Sequence, residues 1–238
     1  MKKYGRKHIG STYRTNEGYS LKVIDGGSKP NYVTVQIEDW ITEKTMGNIK
    51  KGNVKYPFHP SVCGIGFYGT EEILDKFAYQ KWVDMLKRCY DSKTQVEHPS
   101  YIGCSVDIEW HNFSTFAKWI KKYYPRGGNR YDLDKDIRVQ GNKIYSSSNC
   151  ILVPTYLNSF MTNGRSTNTS GYVGVSWHKK NERWIARINL DKKAIILGGF
   201  KCIRTASRAY VEARAIEAKR LRDYYSFDYP KDIIKNIV

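Results

Sequence analysis

The stretch from Arg183 to Leu190 alternates without a break: Trp184, Ala186, Ile188 and Leu190 fall on one side, Arg183, Ile185, Arg187 and Asn189 on the other. Period-two alternation marks a strand with one face in a core and the other in water. A helix would scatter both sets around its circumference. Strand-like runs flank it at Tyr172–Trp177 and Ala194–Phe200, with turns at His178–Glu182 and Asp191–Lys193. A helix is expected next, with Thr205 as its N-cap and an apolar stripe of Ala206, Ala209, Tyr210, Ala213 and Ile216. The small residues in that stripe let a helix pack closely on a three-stranded antiparallel sheet. The other face of the sheet then carries arginine and asparagine outward.

Charge says what such a face would meet. The chain has 40 Lys or Arg against 23 Asp or Glu, a net charge of +17. Between 172 and 222 there are 13 basic and 4 acidic residues, so more than half the excess sits in this segment. A polyanionic partner is expected, double-stranded DNA ahead of an anionic membrane. The major groove admits a β-ribbon, and Arg and Asn can read guanine and adenine edges there. A structural or RNA-binding protein explained by charge alone is the weaker reading, because it leaves the polar cluster described below without a role. No stretch approaches the roughly 18 apolar residues of a membrane span. The basic opening, Met1 to His8, is not followed by an apolar run, so no secretory signal is expected. The expected place is the cytoplasm. The five cysteines, at 63, 89, 104, 150 and 202, form no CxxC pair, which argues against structural zinc. Reduced, mostly buried thiols are expected instead.

The rest of the chain divides by pattern. Residues 1–70 read as a small β module, a sheet or barrel of short strands. Tyr19–Ile24 and the alternating Tyr32–Glu38 are its clearest strands, and Gly47–Gly52 is a looser segment. From 71 to 165 the pattern turns helical and then mixed. Phe77, Trp82, Met85, Leu86 and Tyr90 recur at helical spacing, and Phe113, Phe116, Ala117 and Ile120 form a stripe on a helix beginning near Asn112. A hairpin and helix follow within 131–162, with Cys150–Val153 as a short strand and Pro154 at the helix start. The polar run from Thr162 to Ser170 is the linker to the last domain, 166–238. The fold class is therefore α+β in several domains.

Three polar residues in the middle segment suit a hard cation. Asp134 ends the first strand of the hairpin, Asn149 opens the second, and Asn158 lies on the helix. A carboxylate and an amide oxygen can hold one Mg²⁺ (or Mn²⁺) together with waters and a phosphate. Taken by composition alone, such residues are most often just solvated.

Two resemblances sharpen this. Gly171-Tyr172-Val173-Gly174-Val175, Arg183 to Ile188, Leu197-Gly198-Gly199-Phe200, and Thr205-Ala206 through Ala209-Tyr210 resemble the Apetala2/ethylene-response-factor DNA-binding domain. The resemblance implies DNA contacts from Ser176, His178, Lys179, Arg183, Arg187 and Asn189. The plant family has Arg where this chain has Val173 and Ser176, which leaves the target sequence open. Tyr131 to Asp136, Gly141 to Tyr145, Ser148-Asn149-Cys150 and Asn158 resemble HNH endonucleases of phage and mobile-intron type, whose core is a ββα-metal unit. Trp82 to Tyr90, with Tyr101, Val106, Glu109-Trp110 and Phe113, are similar to the helices that precede that core. The resemblance implies one metal ion on Asp134 and Asn158, with Asn149 bracing the loop. It implies a His base at the position after the Asp, and here that residue is Lys135. Three readings stay open: Lys135 stabilises the phosphorane charge, His111 or His98 supplies the base, or catalysis is lost. The expected function is a site-directed DNA endonuclease of phage or homing type, nicking a phosphodiester. The alternative is a DNA-binding regulatory or accessory protein with an inactive HNH core. The expected partner is duplex DNA alone, with no membrane and no small-molecule cofactor, and the expected state is a monomer or weak dimer.

Overall fold

The computed structural model describes residues 4–71, 75–124, 130–161, 169–190, 193–226 and 228–237. It is a mixed helix and sheet protein. The chain falls into two compact units, one of residues 1–102 with 106–119, the other of 103–105 with 120–238.

The first unit opens with a four-stranded antiparallel meander in the order β1 (Thr12–Arg14), β2 (Ser20–Gly26), β3 (Tyr32–Ile37), β4 (Trp40–Thr45). Leu21, Val23, Val33, Val35 and Ile37 close one face against Met46, Ile49 and Val54. The expected strand Tyr32–Glu38 stops one residue early, because Glu38 takes φ 51° to turn the chain into β4. The expected loose segment is in part a helical turn, α1 (Met46–Lys50), capped by the Thr45 hydroxyl on the Asn48 amide. Helix α2 (Lys76–Tyr90) starts at Asp75, whose carboxylate accepts from the Ala78 amide. Its buried stripe is Ala78, Trp82, Met85, Leu86 and Cys89, with Phe77 only half buried. Helix α3 (Ser92–Glu97) is followed by the two-residue strand β5 (Ser105–Val106) and by α4 (Phe113–Tyr123), of which Val106 and the residues up to Trp119 belong to this unit; Phe113, Phe116, Ala117 and Ile120 are buried as their spacing predicts. The Trp82 indole donates to the Trp110 carbonyl at 2.7 Å, tying α2 to the segment before α4.

The second unit contains a hairpin-and-helix piece and a three-stranded piece. Strand β6 (Tyr131–Asp134) pairs antiparallel with β8 (Ile151–Pro154), with the short β7 (Ile144–Tyr145) between them in sequence. Helix α5 (Thr155–Met161) follows directly. The expected linker lies, over 162–168, outside the described residues. Strands β9 (Val175–His178), β10 (Arg183–Leu190) and β11 (Lys193–Phe200) form an antiparallel sheet with β10 in the centre. The first starts at Val175 rather than Tyr172. Helix α6 (Ile203–Tyr225) packs Ala206 and Ala209 against Val175, Ala186 and Trp184. Its N-cap position is Cys202, so Thr205 lies inside the first turn.

The stripe on α6 departs from expectation in its second half. Ile216 is 73% exposed, and Glu217, Ala218, Leu221 and Tyr225 are buried instead. These residues do not face the three-stranded sheet. They pack on Leu157 and Phe160 of α5. Beyond α6, the short helix α7 (Lys231–Ile234) returns to the hairpin. Ile233 packs on Ile151 and Val153, Tyr229 donates to the Leu152 carbonyl at 3.0 Å, and Asn236 donates to the Ile137 carbonyl at 2.9 Å.

Of the five cysteines, all free, Cys89, Cys104 and Cys150 are buried. Burial pushes the Cys150 thiol up to about 12. Cys202 is exposed at the start of α6, where the Thr205 amide draws its thiol below the ordinary value.

Candidate functional site

The site starts from the alternation of β6. Tyr131 and Leu133 are buried, which puts Asp132 and Asp134 together on the opposite face. The side chain of Asp134 closes the turn that follows: its Oδ1 accepts from the Asp136 amide at 2.7 Å and the Ile137 amide at 2.9 Å. Such a turn is a common habit of a short carboxylate side chain. Burial raises the Asp134 pKa, against the opposing pull of those two amides. The Asn158 amide group on α5 donates to Asp132 Oδ2 at 3.4 Å. The structure therefore brings Asn158 to Asp132, with Asp134 two residues further along the same strand face. Asp132 was not among the residues singled out from sequence. The signal was available, since residues i and i+2 of a strand share a face.

The loop between β6 and β8 is cross-linked through Asn142. Its Nδ2 donates to the carbonyls of Lys135 (2.9 Å) and Ile144 (2.8 Å), and its Oδ1 accepts from the Ile144 amide. Asn149 Nδ2 reaches the same Oδ1 at 3.3 Å. Lys135 is only 5% exposed. Its Nζ donates to Asp136 Oδ2 and to the Asn142 carbonyl, each at 2.7 Å, and lies 5.8 Å from the centroid of the Tyr145 ring. The ammonium is thus an internal tie of the loop. A charge this deep requires partners of this kind, because an unpaired one would be costly to bury.

His111 belongs to the first unit. Its Nε2 bonds the Val106 carbonyl at 3.2 Å, and its ring meets Tyr90 edge-on. A carbonyl only accepts, so Nε2 is the donor of this bond. His98, also in that unit, sets its ring edge-on to Tyr101.

On the three-stranded sheet, Ala186 and Ile188 are buried while Arg183, Arg187 and Asn189 are exposed. Register places His178 opposite Arg183 and Ser176 opposite Ile185, so these five polar side chains share one face. Lys179 is exposed in the turn after β9. Arg183 lies across Gly199 of β11 and donates to its carbonyl at 3.2 Å. His178 Nδ1 accepts from the Asn181 amide at 3.2 Å, which orients the ring. On the other face Trp184 stacks obliquely on Trp177, centroids 5.1 Å apart.

Among the described residues, no group of three or more His, Cys, Asp or Glu side chains converges to hold a metal. No protein-family model matches this chain, and no match was found among curated proteins or among solved structures.

Proposed function

We propose that this protein is a site-directed DNA endonuclease, in which the β9–β10–β11 face engages duplex DNA and the β6–β8–α5 piece carries the cutting centre. One observation carries the reading: a central strand with Arg183, Arg187 and Asn189 exposed, in the same compact unit as a carboxylate–amide cluster of hard oxygen donors. Arg183 and Arg187 lie four residues apart on β10, about 13 Å of extended strand. The major groove is about 12 Å wide, so both side chains meet one stretch of groove. In finer terms the three strands and α6 take the part of an Apetala2-like reader, and the hairpin with α5 that of an HNH core.

The donor set fits Mg²⁺ or Mn²⁺. The carboxylates of Asp134 and Asp132 and the Asn158 amide are hard oxygens, and a buried carboxylate whose pKa is pushed up by desolvation is one a cation would relieve. When bound, the ion supplies charge neutralisation at a phosphate and at its leaving oxygen. The chain's own residues do the rest. The Asp136 and Ile137 amides fix the Asp134 carboxylate, Asp132 sets the Asn158 amide, and Asn142 and Asn149 hold the loop shut. A single such centre cuts one strand, so a monomer nicks.

The second reading, a DNA-binding accessory protein without catalysis, is favoured by one feature. Lys135 stands where the resembling nucleases place their base, and its ammonium is committed to Asp136 and Asn142. Supercoiled plasmid incubated with the protein and Mg²⁺ or Mn²⁺, beside an Asp134→Ala variant, separates the two. Nicking by the native chain and none by the variant, with equal DNA affinity, is expected. Equal nicking, or none from a native chain that binds the plasmid, overturns the nuclease reading.

A further inference from the structure

Helix α6 serves two masters. Its first half packs under the three-stranded sheet, and its second half packs on α5. The junction is a buried acid. Glu217 is 4% exposed, accepts from the Tyr156 hydroxyl of α5 at 2.8 Å, and accepts from Arg220 at 2.8 and 2.6 Å. Arg214, three residues before it and so nearly on the same face of the helix, donates to the Phe160 carbonyl near the end of α5 at 2.8 Å. Tyr156 lies two residues from Asn158, the middle residue of the seven-residue α5, so holding Tyr156 and Phe160 on either side holds Asn158.

We infer that Glu217 is a positioning residue. It locks α5 to α6, so that the sheet and the Asp132–Asn158 pair form one cooperative unit and DNA bound to the sheet steadies the cutting centre. This rests on the proposed DNA-binding face. Segments that open together share one opening free energy, and a ligand that binds only the closed unit raises it equally for every amide within it. Duplex at about one hundred times its dissociation constant slows their exchange about a hundredfold.

The test is amide hydrogen exchange on the full chain with Mg²⁺ omitted, with and without short mixed-sequence duplex DNA at low salt. In the native protein, α5 amides are expected to slow by the same factor, about a hundredfold, as those of β10. In Glu217→Ala, β10 still slows and α5 falls far short of it; Glu217→Gln, which keeps an acceptor for Tyr156, restores the coupling. If the alanine variant does not fold, Tyr156→Phe makes the same comparison by removing only the hydroxyl. Slowing confined to β10 in the native chain, or coupling unchanged in the variants, overturns the lock alone. No slowing anywhere overturns the DNA-binding face and the lock with it.

Discussion

Gly174 meets two demands that only glycine satisfies. Its φ is 72°, and a Cβ there would lie 2.1 Å from Cδ2 of Tyr210 on α6. Left-handed strain and overpacking each cost about 1–2 kcal/mol or more. Gly174→Ala is therefore expected to destabilise by about 2–4 kcal/mol, read as a lower urea midpoint. An unchanged midpoint would mean that neither the left-handed backbone nor the Tyr210 ring resists the added methyl; a drop of only about 1–2 kcal/mol would mean the ring swings aside. Glu217 gives a pH signature. The Arg220 hydrogen bonds hold its carboxyl below the ordinary glutamate value. Its folded pKa thus lies under the unfolded one. The stabilisation is present above the unfolded value, about 4.3, and is lost as pH falls through the folded one. Glu217→Gln should flatten the acid side of the stability–pH curve and leave its largest deficit near neutral pH. A parallel acid limb in the variant would contradict this. Glu217 also shows why half of α6 was illegible in sequence. The apolar pattern Ala206, Ala209, Tyr210, Ala213 reaches position 216 or 217 next, and hydropathy chooses Ile216. The fold chooses Glu217, because Arg220 three residues on and Tyr156, 61 residues earlier in the chain, satisfy its charge; the first partner is visible in the spacing and the second is not.

At the scale of elements, β10 was readable because its alternation is local. The faces of Arg183–Leu190, and the buried stripe of α4, follow from spacing alone. Strands β1 and β4 and the turn α1 were not legible. They are short, of mixed polarity, and held by pairing with β2 and β3 rather than by a pattern of their own. The hairpin and the helix after it were legible, with Asp134 ending β6 and Asn158 on α5, but Asn149, expected to open the second strand, lies in the turn before β8. The hub of the candidate site, Asn142, and its second carboxylate, Asp132, were not legible: Asn142 bonds backbone groups of a loop whose course no periodicity gives, and Asp132 meets Asn158 26 residues away. The exposed face of β10 makes its own prediction. If Arg187 reads a base edge, Arg187→Ala should weaken binding by about 1–3 kcal/mol and relax preference at one position of the selected site. Weakening that is uniform over all sequences would make Arg187 a phosphate contact instead.

For the whole molecule, the +17 charge sets how association responds to salt. Each phosphate neutralised contributes a slope of about −0.9 to log K against log salt. Duplex affinity of the intact chain is expected to fall steeply between low and moderate salt in a filter-binding or fluorescence titration. A flat dependence would remove phosphate contacts from the account. The last consequence concerns the segment after α6. Tyr229, Ile233 and Asn236 complete the packing of a hairpin made from 77 to 99 residues earlier, through Leu152, Ile151, Val153 and Ile137. On the ribosome, then, the three-stranded sheet has all its own parts before the hairpin does. A nascent chain can close the sheet while the hairpin still waits for its last partners, and its packing is finished only after the stretch as far as Ile237, whose carbonyl accepts from Arg222, has emerged.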